Sequence, residues 1–415
     1  MSSGGSGVSS GGSGVLGGGN GLADGLRELI RDRTSASLLL AYFLLFAVVT
    51  TYQQAIPLLY RPLGIPIAAF GLAKSVGNGL EAIASTPAGV LADEAHTGLI
   101  AILAGVVMAV ALGAFPFATT ATALGILVVV MAVSRLVLGV ALTPLVDAAL
   151  TAGHEGIGWG VRDLAIYLGS AVGLGLAGAF VVRSGTLVSI FPGLSLGIVA
   201  LVALLVATHR PTRGDLPDVG TLRPSGLPSP RSSIEEISNR GVLLRILGVD
   251  LLVTLGMGMS FFLVPVLAVD VGVEAGEFLL VFGGSHLLAA PLSLAGGALT
   301  DRLPRKLLYV GNYAAETLML AALALADGPV LFALGLALFV LQTGFEPAVL
   351  AYFFDQFDES ESGRAWGIDG TVERGAGLVA PALGGVLYGM DPHLPFVAGT
   401  VLVAGGTLLA LTLPR

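Results

Sequence analysis

Cysteine is absent from the 415 residues, so neither disulfides nor thiolate metal sites are available. Charge is scarce: Asp, Glu, Lys and Arg make up 12% of the chain, against about 25% in soluble domains. That is too little to coat a globular surface in water. Lysine is almost missing, with Lys74 and Lys306 alone beside 18 arginines. Acids outnumber bases 28 to 20, and a net charge of −8 argues against nucleic acid as a partner. The five histidines are scattered without metal-ligand spacing, and no Gly-rich phosphate loop occurs. No enzyme, no cofactor, no metal and no ATP hydrolysis is therefore expected. No short cleavable signal is read ahead of a hydrophilic domain. The arginine and acid bias fits a high-GC, salt-loving prokaryote.

What the chain has in plenty is apolar sequence: 54% hydrophobic residues and a mean hydropathy of +0.89. A transmembrane helix needs about 20 apolar residues. Twelve such runs are read, near 37–60, 66–92, 98–118, 121–150, 157–182, 186–208, 241–267, 274–300, 306–326, 329–354, 363–389 and 392–413. The expected fold is an all-α polytopic membrane protein embedded in the lipid bilayer. Residues 1–36 read as a disordered Gly/Ser tail followed by a short surface helix. Residues 37–208 form one six-helix half and residues 241–415 the other. Between them, 209–240 is a linker rich in proline and arginine. Arginines concentrate on the side of the termini and linker, which places that side in the cytoplasm of a multi-pass cell-membrane protein.

The halves repeat. Gly89, Leu91 and Asp93 recur 208 residues later as Gly297, Leu299 and Asp301, and Pro57 recurs as Pro265. The second copy continues through Arg302, Arg305 and Lys306; the first has Glu94, His96 and Thr97 where basic residues or glycine would stand. This G-x-L-A-D-R-x-G-R-K skeleton resembles the loops between helices 2 and 3 and helices 8 and 9 of the major facilitator superfamily. Over residues 37–413 the resemblance implies twelve helices in two pseudo-symmetric halves, with solute transport by alternating access. Helix 5 (Gly160, Gly169, Gly173, Gly178) and helix 11 (Gly367, Pro381, Gly384, Gly385) each resemble the pattern G-x8-G-x3-G-P-x2-G-G, which in helix 5 goes with drug–proton antiporters. Leu174 replaces the proline of helix 5. Small residues at these places also let helices approach closely in lipid.

Ionisable residues deep in spans are costly, at about 2.5–3.5 kcal/mol on the mildest scale, and so are informative. Lys74, Asn78 and Glu81 share a face of helix 2, being within seven residues of one another. Arg135 and Gly139 resemble the superfamily's R-x-x-x-G pattern in helix 4, whose arginine the resemblance links to proton coupling. Glu346, Glu373, Arg374 and His286 lie deep in the second half, with Glu346 a candidate partner for Arg374. Asp250 is another acid that could face a cavity, and Glu316 is assigned to packing. Gln53 and Gln54 need polar partners in lipid. Tyr42, Tyr52, Met257, Met259, Phe261, Phe262, Gln342 and Tyr352 are further candidates for the wall of a cavity. Asp147 and Asp355, again 208 apart, read as a gate or solvated caps. Asp301 is expected to brace the gate by pairing with Arg302, Arg305 or a helix end across the half. Glu81 is expected to carry the proton with Lys74 modulating it, or else to form a static pair with Lys74; Glu373 is the fallback carrier.

The expected function is proton-coupled efflux of a small, partly hydrophobic solute by a monomer. Lys74, Arg135 and Arg374 leave uptake of an anionic metabolite as an alternative. A non-transporting sensor or scaffold is the third, and buried charges give a scaffold little.

Overall fold

The computed structural model of the protein describes residues 33–94, 97–150, 155–208, 237–300 and 302–414. The expected tail up to residue 32, the linker over 209–236 and Asp301 lie outside the described residues. So do the side chains of Gly89, Asp93 and Asp147, which fall on helices described there by backbone alone.

Among the described residues, twelve helical spans follow one another. The first half holds α1 (Arg33–Tyr60), α2 (Ile67–Glu94), α3 (Thr97–Ala114), α4 (Ala121–Leu150), α5 (Glu155–Ser184) and α6 (Phe191–Thr208). The second holds α7 (Arg240–Asp270, with a tight turn at Phe261–Leu263), α8 (Ala275–Thr300), α9 (Arg305–Ala324), α10 (Pro329–Thr343 and Glu346–Asp355), α11 (Glu359–Met390) and α12 (Leu394–Leu411). Successive spans run in opposite directions, so residues flanking the linker and the carboxyl end share one face of the bundle. That side is termed the linker face here, and the other the opposite face.

The 208-residue repeat is visible in backbone geometry. Gly64, after α1, and Gly272, after α7, adopt φ of 67° and 89°. At the first turn Ile65 N bonds Tyr60 O and Gly64 N bonds Arg61 O; at the second Val273 N bonds Ala268 O and Gly272 N bonds Val269 O. Both are helix ends whose left-handed turn suits glycine. The same hydrogen bonds at the same offset mark one unit built twice.

The run 329–354, read from sequence as one helix, is two segments bent by 42°. Proline is the reason. Pro347 lacks the N–H that would reach back one turn, so the chain tightens at Gly344 and Phe345 before the helix resumes. Nine described helices are long and apolar enough to cross a membrane, and the bent pair makes a tenth. The two left out are α2 and α11. They pack against each other across the two halves, as α5 does against α8. Part of the polar face of α2 is thus turned to protein.

Candidate functional site

The polar residues of α2 divide into two sets. Ser75 and Asn78 bond the backbone of α11: Ser75 Oγ accepts from Ala382 N at 2.9 Å, and Asn78 Nδ2 donates to Gly377 O at 2.7 Å. Lys74 and Glu81 instead line a cavity of about 330 Å³, and Asn78 reaches it too. Tyr52, Gln53 and Gln54 of α1 and Arg135 of α4 complete its polar wall. Its apolar wall includes Met257, Phe261 and Phe262 from α7, so both halves contribute.

Arg135 Nη2 donates to Glu81 Oε1 at 2.6 Å. The expected Lys74–Glu81 pair is not formed. Seven residues are two turns, about 10.5 Å along the axis, and Arg135 meets the carboxylate from the neighbouring helix. Lys74 has no salt-bridge or hydrogen-bond partner among the described residues, while the buried Gln54 Oε1 has no donor. The cavity thus offers one engaged ion pair, one unengaged ammonium and one unengaged amide oxygen.

A second cavity, of about 700 Å³, lies toward the linker face. Arg162, Asp163 and Tyr167 of α5 line it from the first half; Asp250, Tyr309, Tyr313, Glu346, Asp369 and Glu373 line it from the second. Tyr167 Oη donates to Glu346 Oε2 at 3.1 Å, a bond between halves. Glu346 begins the second segment of α10 and is met by α5, which is why the expected Glu346–Arg374 pair is not made. Arg374 is exposed and lines neither cavity. His286 lines neither as well: its Nδ1 lies 2.9 Å from Phe282 O, and its ring packs among Phe282, Phe339 and Tyr167. Gln342 binds Asn312 and Glu316 inside the second half, and Tyr352 Oη donates to Pro414 O.

The opposite face is shut. Arg61, in the loop after α1, pairs with Asp270 at the end of α7, and Tyr388 Oη of α11 donates to Asp270 Oδ2 at 2.6 Å. Below this clasp the halves touch backbone to backbone. A Cβ on Gly178 would lie 2.7 Å from Leu280 N, and one on Gly71 would lie 2.3 Å from Pro381 O. Gly385 closes on Ala68 in the same way. Gly173 and Gly384 act inside each half: their Cβ positions would lie 2.0 Å from Ala47 O and from Met259 O. The glycine pattern therefore serves two contacts, one within halves and one between them.

At the linker face, Arg305 and Lys306 of the hinge work within the second half. Arg305 pairs with Asp355 of α10, and Lys306 Nζ donates to the terminal carbonyls of α12 at Leu411 and Leu413; the expected brace by Asp301 lies outside the described residues. A cation there also suits the negative end of the helix dipole. Arg302 is exposed. A Cβ on Gly297 would meet nothing within 4 Å, whereas one on its neighbour Gly296 would lie 2.0 Å from Gly344 O.

Among known proteins, the profile described as Major Facilitator Superfamily matches residues 38–345 and 251–415. The chain belongs to the major facilitator superfamily. Solved structures agree on the fold. A point mutant of the nucleoside transporter NupG superposes with a TM-score of 0.71 at 14% identity, covering 92% of this chain and 99% of that one. NupG itself gives 0.67 at 14% identity, covering 92% and 98%. A bacterial homologue of the human lysosomal transporter Spinster, in an inward-facing and unoccupied conformation, gives 0.64 at 15% identity, covering 96% and 98%. No curated protein matches by sequence. This member of the superfamily is thus a multi-pass membrane protein with the fold of secondary transporters, and fold alone does not name its solute.

Of the ten residues singled out from sequence for coupling and cavity roles, Gln53, Gln54, Lys74, Asn78, Glu81 and Arg135 converge on the smaller cavity, and Glu346 and Glu373 reach the larger. Sequence reasoning missed Asp163, Tyr167, Tyr309, Tyr313 and Asp369. The signal for Asp369 was present: with Glu373 it forms an i, i+4 acidic pair on one face of α11.

Proposed function

We propose that the protein exports a small, partly hydrophobic solute in exchange for protons, by alternating access. The Glu81–Arg135 pair on the wall of a cavity that both halves build is the observation that carries this reading. A charge-assisted hydrogen bond is roughly twice as strong as a neutral one. A proton arriving on Glu81 therefore weakens its hold on Arg135, loosening α2 from α4 and changing the cavity's charge. Solute and proton then compete for one state of one site. Arg135 takes the modulating role expected of Lys74, which stays unengaged in the same wall.

The linker face is cytoplasmic in this reading, so the larger cavity admits solute from inside the cell. Its five carboxyl side chains, against Arg162 alone, disfavour an anion, and Tyr309, Tyr313, Phe353 and Trp366 suit an aromatic or cationic solute. Both volumes lie at or near the span of about 300–1,000 Å³ typical of ligand sites. A second reading, uptake of an anionic metabolite, is favoured by one observation: Lys74 and Arg135 face a single carboxylate in the smaller cavity.

The test has two stages. Purified protein is screened by thermal shift against lipophilic aromatic cations, nucleosides, sugars, amino acids and organic anions. The stabilising solute is then followed in liposomes with an imposed pH gradient. Glu81→Gln is expected to keep binding and downhill exchange and to lose uphill transport. Uphill transport at the wild-type rate overturns the role of Glu81, and stabilisation by organic anions alone turns the assignment to uptake.

A further inference from the structure

Two buried carboxyl groups lie against each other in the half that does not hold Glu81. Asp250 of α7 and Asp369 of α11 are 9% and 3% exposed, and their carboxyl groups lie close enough to interact with each other. Both line the larger cavity. Tyr313 Oη donates to Asp250 Oδ1 at 3.0 Å. Asp369 Oδ1 is buried with no donor among the described residues. An ionised carboxylate can only accept hydrogen bonds, so two of them in contact leave the bond between them unmade. One proton makes the bond and removes the orphan.

The described residues that line the cavity supply no free cation to do this instead. Among the described residues that line the cavity, Arg162 is the one basic side chain, and Asp163 binds its guanidinium at 2.9 Å. Arg374, on α11 itself, is exposed and forms no salt bridge among the described residues. α12, which packs on α7, carries no titratable side chain from Leu394 to Leu411. Lys74 and Glu81 of α2 face the other cavity. The remaining groups nearby are acids or phenols. Glu373 lies one turn along α11, and Glu346 of α10 is held by Tyr167 of α5. From α9, Tyr309 and Tyr313 present phenols on the same cavity wall.

We propose that Asp250 and Asp369 share one proton and form a second proton-carrying site of this transporter. Two carboxyl groups close together titrate as a unit, not as separate residues. Both belong to the second half, so the pair stays together as the halves rock. What changes is its access to water: open to the linker face in the state seen here, and dried when that face closes. The proton thus exchanges on one side and is retained during the crossing. The link to transport rests on the proton-coupled reading above; the sharing of the proton does not.

The experiment separates the two. Infrared difference spectra of the purified full-length chain, without solute, are recorded at a pH where free carboxyl groups are ionised. Wild type minus Asp369→Asn and wild type minus Asp250→Asn are each expected to show loss of one protonated-carboxyl band. The double variant is expected to lose the same single band, because one proton is shared. Tyr313→Phe is expected to shift that band without removing it, which guards against misfolding as the cause. No band lost in either single variant, or twice the intensity lost in the double, overturns the proposal. So does a band that sodium ions remove at constant pH. In liposomes, Asp369→Asn is expected to lower pH-driven accumulation about tenfold while leaving solute exchange intact, and unchanged accumulation overturns the transport role. Absence of pH-driven transport in the wild type itself defeats the proton-coupled reading and leaves the infrared result standing.

Discussion

Glycines that look alike in sequence differ in what they touch. Gly173 and Gly297 both sit in motif positions, yet a side chain at Gly173 meets the Ala47 carbonyl and one at Gly297 meets open space. Overpacking a tight contact costs about 1–3 kcal/mol. Replacing glycine by alanine in a helix is otherwise favourable by up to about 1 kcal/mol. Gly173→Ala is therefore expected to lower the melting temperature in detergent, and Gly297→Ala to leave it unchanged or raised. Equal losses at both would show that the motif acts through something other than close approach. The charged residues teach the same lesson. Depth in a span identified Glu81 and Arg135 one by one, because any buried charge needs a reason. It did not identify them as partners, because pairing is set by which helices are neighbours. Asp369 was passed over since it falls within the first turns of its run, where a solvated acid is ordinary.

Element by element, the hydrophobic runs gave twelve spans with ends within a few residues of those observed, because length and apolarity are local properties. The break in α10 depends on one missing N–H at Pro347 inside an otherwise apolar run, which a count of apolar residues does not register. The closed face depends on contacts between α1, α7 and α11 that are more than 100 residues apart in sequence. Asp270 joins all three. Asp270→Asn keeps an acceptor for Tyr388 and removes the charge that holds Arg61. Because Arg61 is 60% exposed, solvent screens the pair, and the loss is about 1 kcal/mol or less. That corresponds to roughly a fivefold change in population. With no native cysteine to interfere, Met257→Cys can report on it. Labelling by a membrane-impermeant thiol reagent from the opposite face is expected to rise several-fold in the Asp270→Asn background. Unchanged labelling would mean that the backbone contacts at Gly178 and Gly71 hold the seal alone.

For the whole molecule, the twofold repeat carries the architecture, and the charge bias motivates an orientation that awaits test. Reporter fusions at Ser229, in the linker, and at Asp391, before α12, are expected to show opposite sidedness, with Ser229 cytoplasmic. The same sidedness at both sites would break the twelve-span topology. The polar faces of α2 and α11 bear on how such a chain is made. Each is too polar to rank with the nine apolar helices, and α11 covers Ser75 and Asn78 of α2 only once both are in place. The ribosome finishes α2 some 265 residues before it begins α11 (359 − 94). During that interval the nascent first half has Ser75 and Asn78 without their final partners on α11. The chain must then rely on α4, which offers Arg135 to Glu81 within the first half, to keep α2 in the bilayer. Stopped after residue 208, the chain is expected to hold α2 across the membrane with Arg135 present. With Arg135→Leu, α2 should slip out to a measurable fraction, visible as altered glycosylation of an acceptor site placed in the loop before Ile67. Biogenesis would then use the same ion pair that serves transport, for a different purpose and at an earlier time.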